Sequence, residues 1–415
     1  MPIVKGSCLI LTQIFNKALT PTLVGALLCL LPMAGGQAQL RFIPQDTAVV
    51  FTPPSPTTGG ERAALKEAMR VWRQSPGSLE GATAAARLAF LTAMHEGDPR
   101  WLGNARAMLQ PWWEAKGLSA EASFIRSLVR QGLHDFDGGL ADLDAAIGQE
   151  PERPEFWAWR FAIHLVRAEI DPARQACSAI GSRFGEREAL GCAAVLLYRT
   201  GDPRGAIRLL DKMAGHPDGQ GRHALEWLTF HRGEARRVAG EAEAAKRIWR
   251  SYLNSGPQPH VIRLALVELL NDQKDFAAAW QLNQSLPRSD ALLVQAIRSA
   301  RALGRLEAGP LLKEFQLRVA QQEARGDTIN ERPLIGYHLL IQGDAAVALD
   351  MAQKSWLTQR EPADAALYAE AALRSGRPNA AAEVLLWRSQ TGYKEASLDL
   401  LLDQLQLQTA TRDRP

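Results

Sequence analysis

The residues of this chain that come nearest to chemistry are two cysteines, two histidines and a scatter of carboxylates and arginines. Cys177 and Cys192 are fifteen positions apart, and His223 and His231 are eight apart. Eight residues is close to two helical turns, so the two histidines can share one helix face, where a metal could bridge them. The commoner use of such residues is a local hydrogen bond, and His95, His231 and His338 read that way. The chain has no Cys-x-x-Cys, no His-Glu-x-x-His, no phosphate-binding glycine loop and no Gly-x-Ser-x-Gly elbow. Its acids are spread along helix surfaces, as at Glu241 and Glu243, rather than paired for acid–base work. The expectation is therefore no catalytic residue, no metal site and no cofactor.

Any site must then come from the elements that carry it. The 415 residues are 46% apolar, with Ala and Leu dominant and few β-branched runs, which favours helices over sheets. The formal charge is +3. A near-neutral chain gives no electrostatic case for nucleic acid, which would ask for a basic face.

The first 38 residues read as an export signal. Lys5 and Lys17 precede the apolar run Leu23–Leu31, and Gly36-Gln37-Ala38 offers a small-x-small site with cleavage after Ala38. The apolar run is too short to span a bilayer comfortably. The expected location is thus periplasmic or secreted, with a retained N-terminal anchor as the alternative. Cys29 follows Leu28, where a lipid-attachment signal would have a small residue. Export removes Cys8 and Cys29 and leaves Cys177 and Cys192 as an even pair in an oxidising compartment.

A short pattern recurs along the rest of the chain. A helix ends at Gly or a polar residue, and a few positions later an amphipathic helix opens with a small residue. Gly201-Asp202-Pro203 before Ala206 is one instance, with Gly240 before Ala245, Gly376-Arg377-Pro378 before Ala381, and Asp135-Phe136 before Gly139. A small residue lets two antiparallel helices approach closely. A glycine closes the first helix in the left-handed conformation, and Asp202 and Asp344 are placed to cap the next. Pro203 and Pro378 fall in a first helical turn, where the missing donor is not needed.

These segments resemble the tetratricopeptide repeat, a helix–turn–helix unit of 34 residues. Aligned on the small residue, the units carry Ala105, Gly139, Ala176, Ala206, Ala245, Ala279, Gly309, Ala348 and Ala381. Implied unit starts lie near Thr83, Ala120, Trp157, Arg187, Glu226, His260, Asp290, Ile329 and Pro362. The small residue of the first helix is met by Ser127, Ala194, Gly233, Gly336 and Ala369, and not by Phe90, His164, Val267 or Ile297. The resemblance implies an all-α fold, a right-handed α-α superhelix of about nine helix hairpins. A plain Ala-rich bundle and other helical solenoids are the competing readings. The implied organisation is a signal peptide (1–38), an extended Pro/Thr-rich leader (39–60), an N-terminal capping helix (61–82), the repeat array (83–396) and a C-terminal capping helix and tail (397–415). In this register Cys177 and Cys192 fall on adjacent antiparallel helices. They could form a disulfide or remain two separate buried thiols. The Trp101, Trp112 and Trp113 cluster reads either as core of an enlarged first unit or as an exposed docking loop.

In the resembling family the first helices line a concave groove that holds a peptide or partner helix. Carried over by alignment, the groove candidates are Arg87, Glu121, Phe124, Gln131, Phe161, Arg199, Trp227, Phe230, Glu234, Arg237, Glu268, Asn271, Arg298, Arg301, Tyr337 and Arg374. Arginines among aromatics are what interface hot spots use. Arg237, Arg298 and Arg301 could form a basic stripe for a carboxylate-bearing partner. The implied function is a non-enzymatic periplasmic scaffold or adaptor that binds a protein or peptide, an envelope component by preference, without nucleic acid and without a stable membrane span once the signal is cleaved. The alternatives are a cell-wall enzyme built around an unrecognised acid, or a small-molecule or metal carrier using the same groove.

Overall fold

The computed structural model describes residues 60–215, 222–284, 288–325 and 331–412. The export-signal and leader readings, and the unit start at Ile329, lie outside the described residues. The described chain is helical throughout. A lone helix α1 (Gly60–Gln74) is followed by nine hairpins: α2 (Leu79–Glu96) with α3 (Arg100–Leu109), α4 (Ala120–Gly132) with α5 (Phe136–Gln149), and α6 (Pro154–Val166) with α7 (Ile170–Phe184). Next come α8 (Glu186–Arg199) with α9 (Pro203–Ala214), α10 (Arg222–Val238) with α11 (Ala242–Asn254), and α12 (His260–Asp272) with α13 (Phe276–Asn283). The last three are α14 (Asp290–Ala302) with α15 (Ala308–Arg325), α16 (Glu331–Tyr337) with α17 (Ala345–Trp356), and α18 (Pro362–Arg374) with α19 (Ala382–Thr391). A π-turn over His338–Gln342 prolongs α16, and α20 (Ala396–Arg412) covers the far end.

One turn makes all nine hairpins. At each, a residue just past the first helix takes positive φ: Gly97, His134, Ala168, Gly201, Gly240, Lys274, Gly304, Gly343 and Gly376. The next amide then donates back into the helix, as Asp135 to Arg130, Asp202 to Leu197 and Asp275 to Leu270. That is the Schellman bond, which satisfies a carbonyl the helix end would orphan. Asp135, Asp202, Asp275 and Asp344 cap the following helix through their side chains, Asp202 accepting from the Gly205 amide at 2.8 Å.

Close packing then sets the hairpin. Ala105, Ala206, Ala245, Ala279, Ala348 and Ala381 have no exposed surface and Ala176 almost none. A Cβ on Gly139 would sit 3.4 Å from the Ser127 carbonyl of α4. Gly309 departs from the pattern: it is exposed, and Ala308 packs toward the core instead, so the register of the seventh hairpin shifts by one. Three helices also start three or four residues earlier than the repeat alignment gives, one of them α10, which runs from Arg222 rather than Glu226. Ser78 caps α2 by accepting from the Gly81 amide, so that helix begins at Leu79 rather than Thr83, and Pro154 opens α6 ahead of Trp157. Trp113 is buried, Trp101 and Trp112 pack on the same cluster, and the docking-loop reading of that segment does not hold.

Apart from α6 and α8, each first helix packs on the first helix of the next hairpin, as α4 on α6, α12 on α14 and α14 on α16. Second helices do not approach one another to the same degree among the described residues. The first helices are therefore crowded on the inside of the curve and the second helices fan out on its outside. The result is a tetratricopeptide-like solenoid with an inner face built from first helices.

Candidate functional site: the inner face

The inner face is laced by ion pairs that step from one first helix to the next. Arg87 of α2 pairs with Glu121 of α4, and Arg153, just before α6, reaches the same Glu121 at 3.0 Å and also Glu155. The Arg153 guanidinium lies over the Phe156 ring at 4.4 Å, and Phe156 packs on Phe124 at 4.7 Å between centroids. Farther along, Arg237 holds Glu234 at 3.0 Å and Glu395 at 2.5 Å. Arg298 holds Asp272 at 2.7 Å, and Arg332 holds Asp364 at 2.7 Å and Glu361 at 2.8 Å. Burial alone would lower Arg332, but Asp364 and Glu361 outweigh it and raise its pKa.

Eight of the sixteen groove candidates turn out to be core rather than surface. Phe124, Phe161, Trp227, Phe230 and Tyr337 are buried between helices, as are Gln131, Arg199 and Asn271. The physical reason is crowding. First helices packed on both neighbours leave the aromatic positions no outlet, so the rings fill the inter-helix space. Asn271 shows the polar version, bridging α12 to α14 through Gln295 at 2.9 Å and Ser299 at 2.8 Å. Arg87, Glu121, Glu234, Arg237, Glu268 and Arg298 stay partly exposed, and Arg301 and Arg374 are exposed. The basic stripe also changes character. Arg237 and Arg298 are matched by carboxylates, and Arg301 donates to the Ile341 carbonyl.

Glu268 stands apart from these pairs. Burial, with Asp272 one helical turn away, pushes its carboxyl up to about 7. His231 is the opposite case. It packs tilted against Trp227 at 4.2 Å and edge-on against Phe230 at 5.0 Å, its Nδ1 meets the Tyr198 hydroxyl at 2.8 Å, and burial, with Arg199 close by, pushes it down to about 3. His223 is a third exposed and lies 3.5 Å from Glu226. No group of three or more His, Cys, Asp or Glu among the described residues is placed to hold a metal.

Cys177 of α7 and Cys192 of α8 form a disulfide, with Cα atoms 5.7 Å apart. It joins the third hairpin to the fourth beside a shallow, mostly apolar groove of about 630 Å³, lined by Ser178, Gly181, Ala189, Ala193 and Leu196 among others.

Sequence reasoning missed the buried arginine that organises the first units. Arg126 of α4 binds Asp142 of α5 with two nitrogens and donates to the carbonyls of Trp112, Trp113 and Ala115. It also missed Glu361 and Glu395, which stand at helix starts and answer arginines on distant units. Their acid-before-helix placement is visible in the sequence, but their partners are not.

No protein-family model and no curated protein matches the chain. Solved structures do align with it. A tetratricopeptide repeat protein from Parabacteroides merdae is 14% identical over 69% of this chain and 98% of its own, with a TM-score of 0.31. The hetero-tetramer Cut9–Hcn1 of the APC/C gives 12% identity over 84% of this chain and 87% of that one, also at 0.31. The tetratricopeptide domain of P58(IPK) gives 12% identity over 86% and 96%, at 0.21.

Proposed function

We propose that this protein is an exported scaffold that binds a protein or peptide partner on the inner face of its helical array. The observation that carries the reading is the inner face itself: successive first helices present partly exposed Arg87, Glu121, Glu234, Arg237, Glu268 and Arg298. Paired charges with aromatic rings beneath them give geometric specificity to a partner's own charges and backbone, as interface anchors do. The fold supports this by spending one hairpin after another on extending a surface. Export rests on the sequence of residues 1–38, and no helix among the described residues is long and apolar enough to cross a membrane.

The test is affinity purification of the tagged full-length protein from envelope and cytosolic fractions of the source cells, with the mature N-terminus read by mass spectrometry. The reading expects an N-terminus at Gln39 and one protein enriched reproducibly from the envelope. An intact N-terminus in the cytosol removes the export half, and no enriched protein in either fraction removes the binding half.

A further inference from the structure

The array does more than curve; its later units return to its earlier ones. The turn at Gly97 abuts His260 at the start of α12, and α2 touches α12. His134, in the turn after α4, meets Gln359 at 3.2 Å. The last carbonyl of α6, Val166, accepts the Arg360 amide at 2.8 Å. Arg199, the last residue of α8, faces Glu361 at 3.8 Å, and a Cβ on Gly201 would lie 2.4 Å from the Gly392 carbonyl oxygen. Arg237 in the last turn of α10 binds Glu395, immediately before α20. The first hairpin thus lies against the sixth, the fourth against the ninth, and the fifth against the segment beyond the ninth. One superhelical turn is about five hairpins, and successive turns are in contact.

Two of these contacts, Arg199 with Glu361 and Arg237 with Glu395, share one electrostatic logic. An arginine stands at the carboxyl end of a first helix, where the helix dipole is negative, and a glutamate stands at the amino start of a later helix, where it is positive. Each charge suits its own helix before it meets the other. For Arg237 and Glu395, separating the turns therefore strands neither charge, unlike the rupture of a buried pair whose members have no other support. Glu395 also keeps the Tyr393 and Ser397 hydroxyls, and Arg237 keeps Glu234, when the two part. Such a contact can form and release.

We propose that the segment 392–395 is an internal latch: by seating Glu395 on Arg237 and the Gly392 carbonyl against Gly201, it holds the superhelix wound closed over its inner face and limits access to that face. The winding and the access are properties of this chain alone. Only their use in admitting a partner rests on the proposed function.

The Arg360 amide reports the turn-to-turn contact directly, because its acceptor is Val166 in the turn below. Its hydrogen exchange is measured in the full chain alongside Arg237→Glu, Glu395→Arg and the double swap. The same backgrounds carry Glu268→Cys for labelling by a bulky maleimide. Each single variant is expected to raise the Arg360 exchange rate and the labelling rate about fivefold, the scale of one partly exposed ion pair, and the double swap is expected to restore both. Rates unchanged in the single variants, or not restored in the double, overturn the latch.

A second comparison avoids charge and guards against misfolding. Gly201 and Gly240 occupy the same turn in neighbouring hairpins, at φ +94° and +81°, but an added Cβ meets the next turn only at Gly201. Gly201→Ala is expected to speed Arg360 exchange beyond Gly240→Ala, and equal rates for the two overturn the latch. If access opens as expected while the purification above still captures no protein, the latch stands and the binding reading falls.

Discussion

Residue identity at the hairpin turn shows how much of the repeat is written in single positions. Six of the nine left-handed turn residues are glycine, and three of them, Gly201, Gly240 and Gly376, carried the repeat pattern in the sequence. His134, Ala168 and Lys274 hold the same conformation without being glycine, at φ 66°, 59° and 63°. A side chain there costs about 1–2 kcal/mol, part of which glycine gives back as unfolded-chain entropy. Lys274 is exposed, so Lys274→Gly is expected to stabilise the protein by roughly 0.5–1 kcal/mol in urea denaturation. A lower midpoint would contradict the assignment of that turn. Glu268 gives a prediction in pH. Its folded value near 7 lies above the unfolded value of about 4.3, so the folded state holds the extra proton between the two. Its contribution to stability is fully present below about pH 4.3 and is lost as pH rises through 7. Glu268→Gln should flatten the stability profile between those values and stabilise by roughly 1 kcal/mol at neutral pH, read from denaturation midpoints across the range. An unchanged slope would mean that Glu268 titrates as a solvated acid.

Among the described residues, elements are held by close approach and by one covalent tie. Gly233 of α10 lies under the Trp249 ring of α11, so near that a Cβ would stand 2.1 Å from it, and Trp249 donates to the Phe230 carbonyl at 3.3 Å. This explains why Phe230, which alignment put on the groove, is instead core. Spacing tells which residues share a helix face, but whether that face meets solvent or the next helix depends on the inter-helix distance. The alanines and glycines that permit the approach were legible, and the burial that follows from them was not. The disulfide between α7 and α8 closes fifteen residues, which in a chain-entropy account is worth about 3 kcal/mol. A Cys177→Ala, Cys192→Ala double variant is expected to lose about that much in oxidising buffer and to match the wild type under reductant. No loss in oxidising buffer would show that the bond does not form in the protein as made.

At the scale of the whole molecule, the hairpin count and the helical class were legible because each unit carries its own turn signal. The winding was not. It accumulates from small rotations over five hairpins, and the residues that register it, Arg199 with Glu361 and Arg237 with Glu395, lie more than 150 positions apart in sequence. Their types follow helix-end electrostatics, which many helices obey, so nothing local marks them as partners. For the same reason the inner face reads from sequence as an open basic stripe, while in the structure its arginines are matched by carboxylates and its hairpin turns meet those of later units. The central claim, that this face exists to hold another protein, is tested most directly by photo-crosslinking in the source cells. A crosslinker is placed at Glu268 or Arg298 on the inner face, and at Leu306, which is 92% exposed, away from it. The account predicts one discrete crosslinked protein from the two inner positions and none of it from Leu306. The same product from all three positions, or none from any, would contradict it.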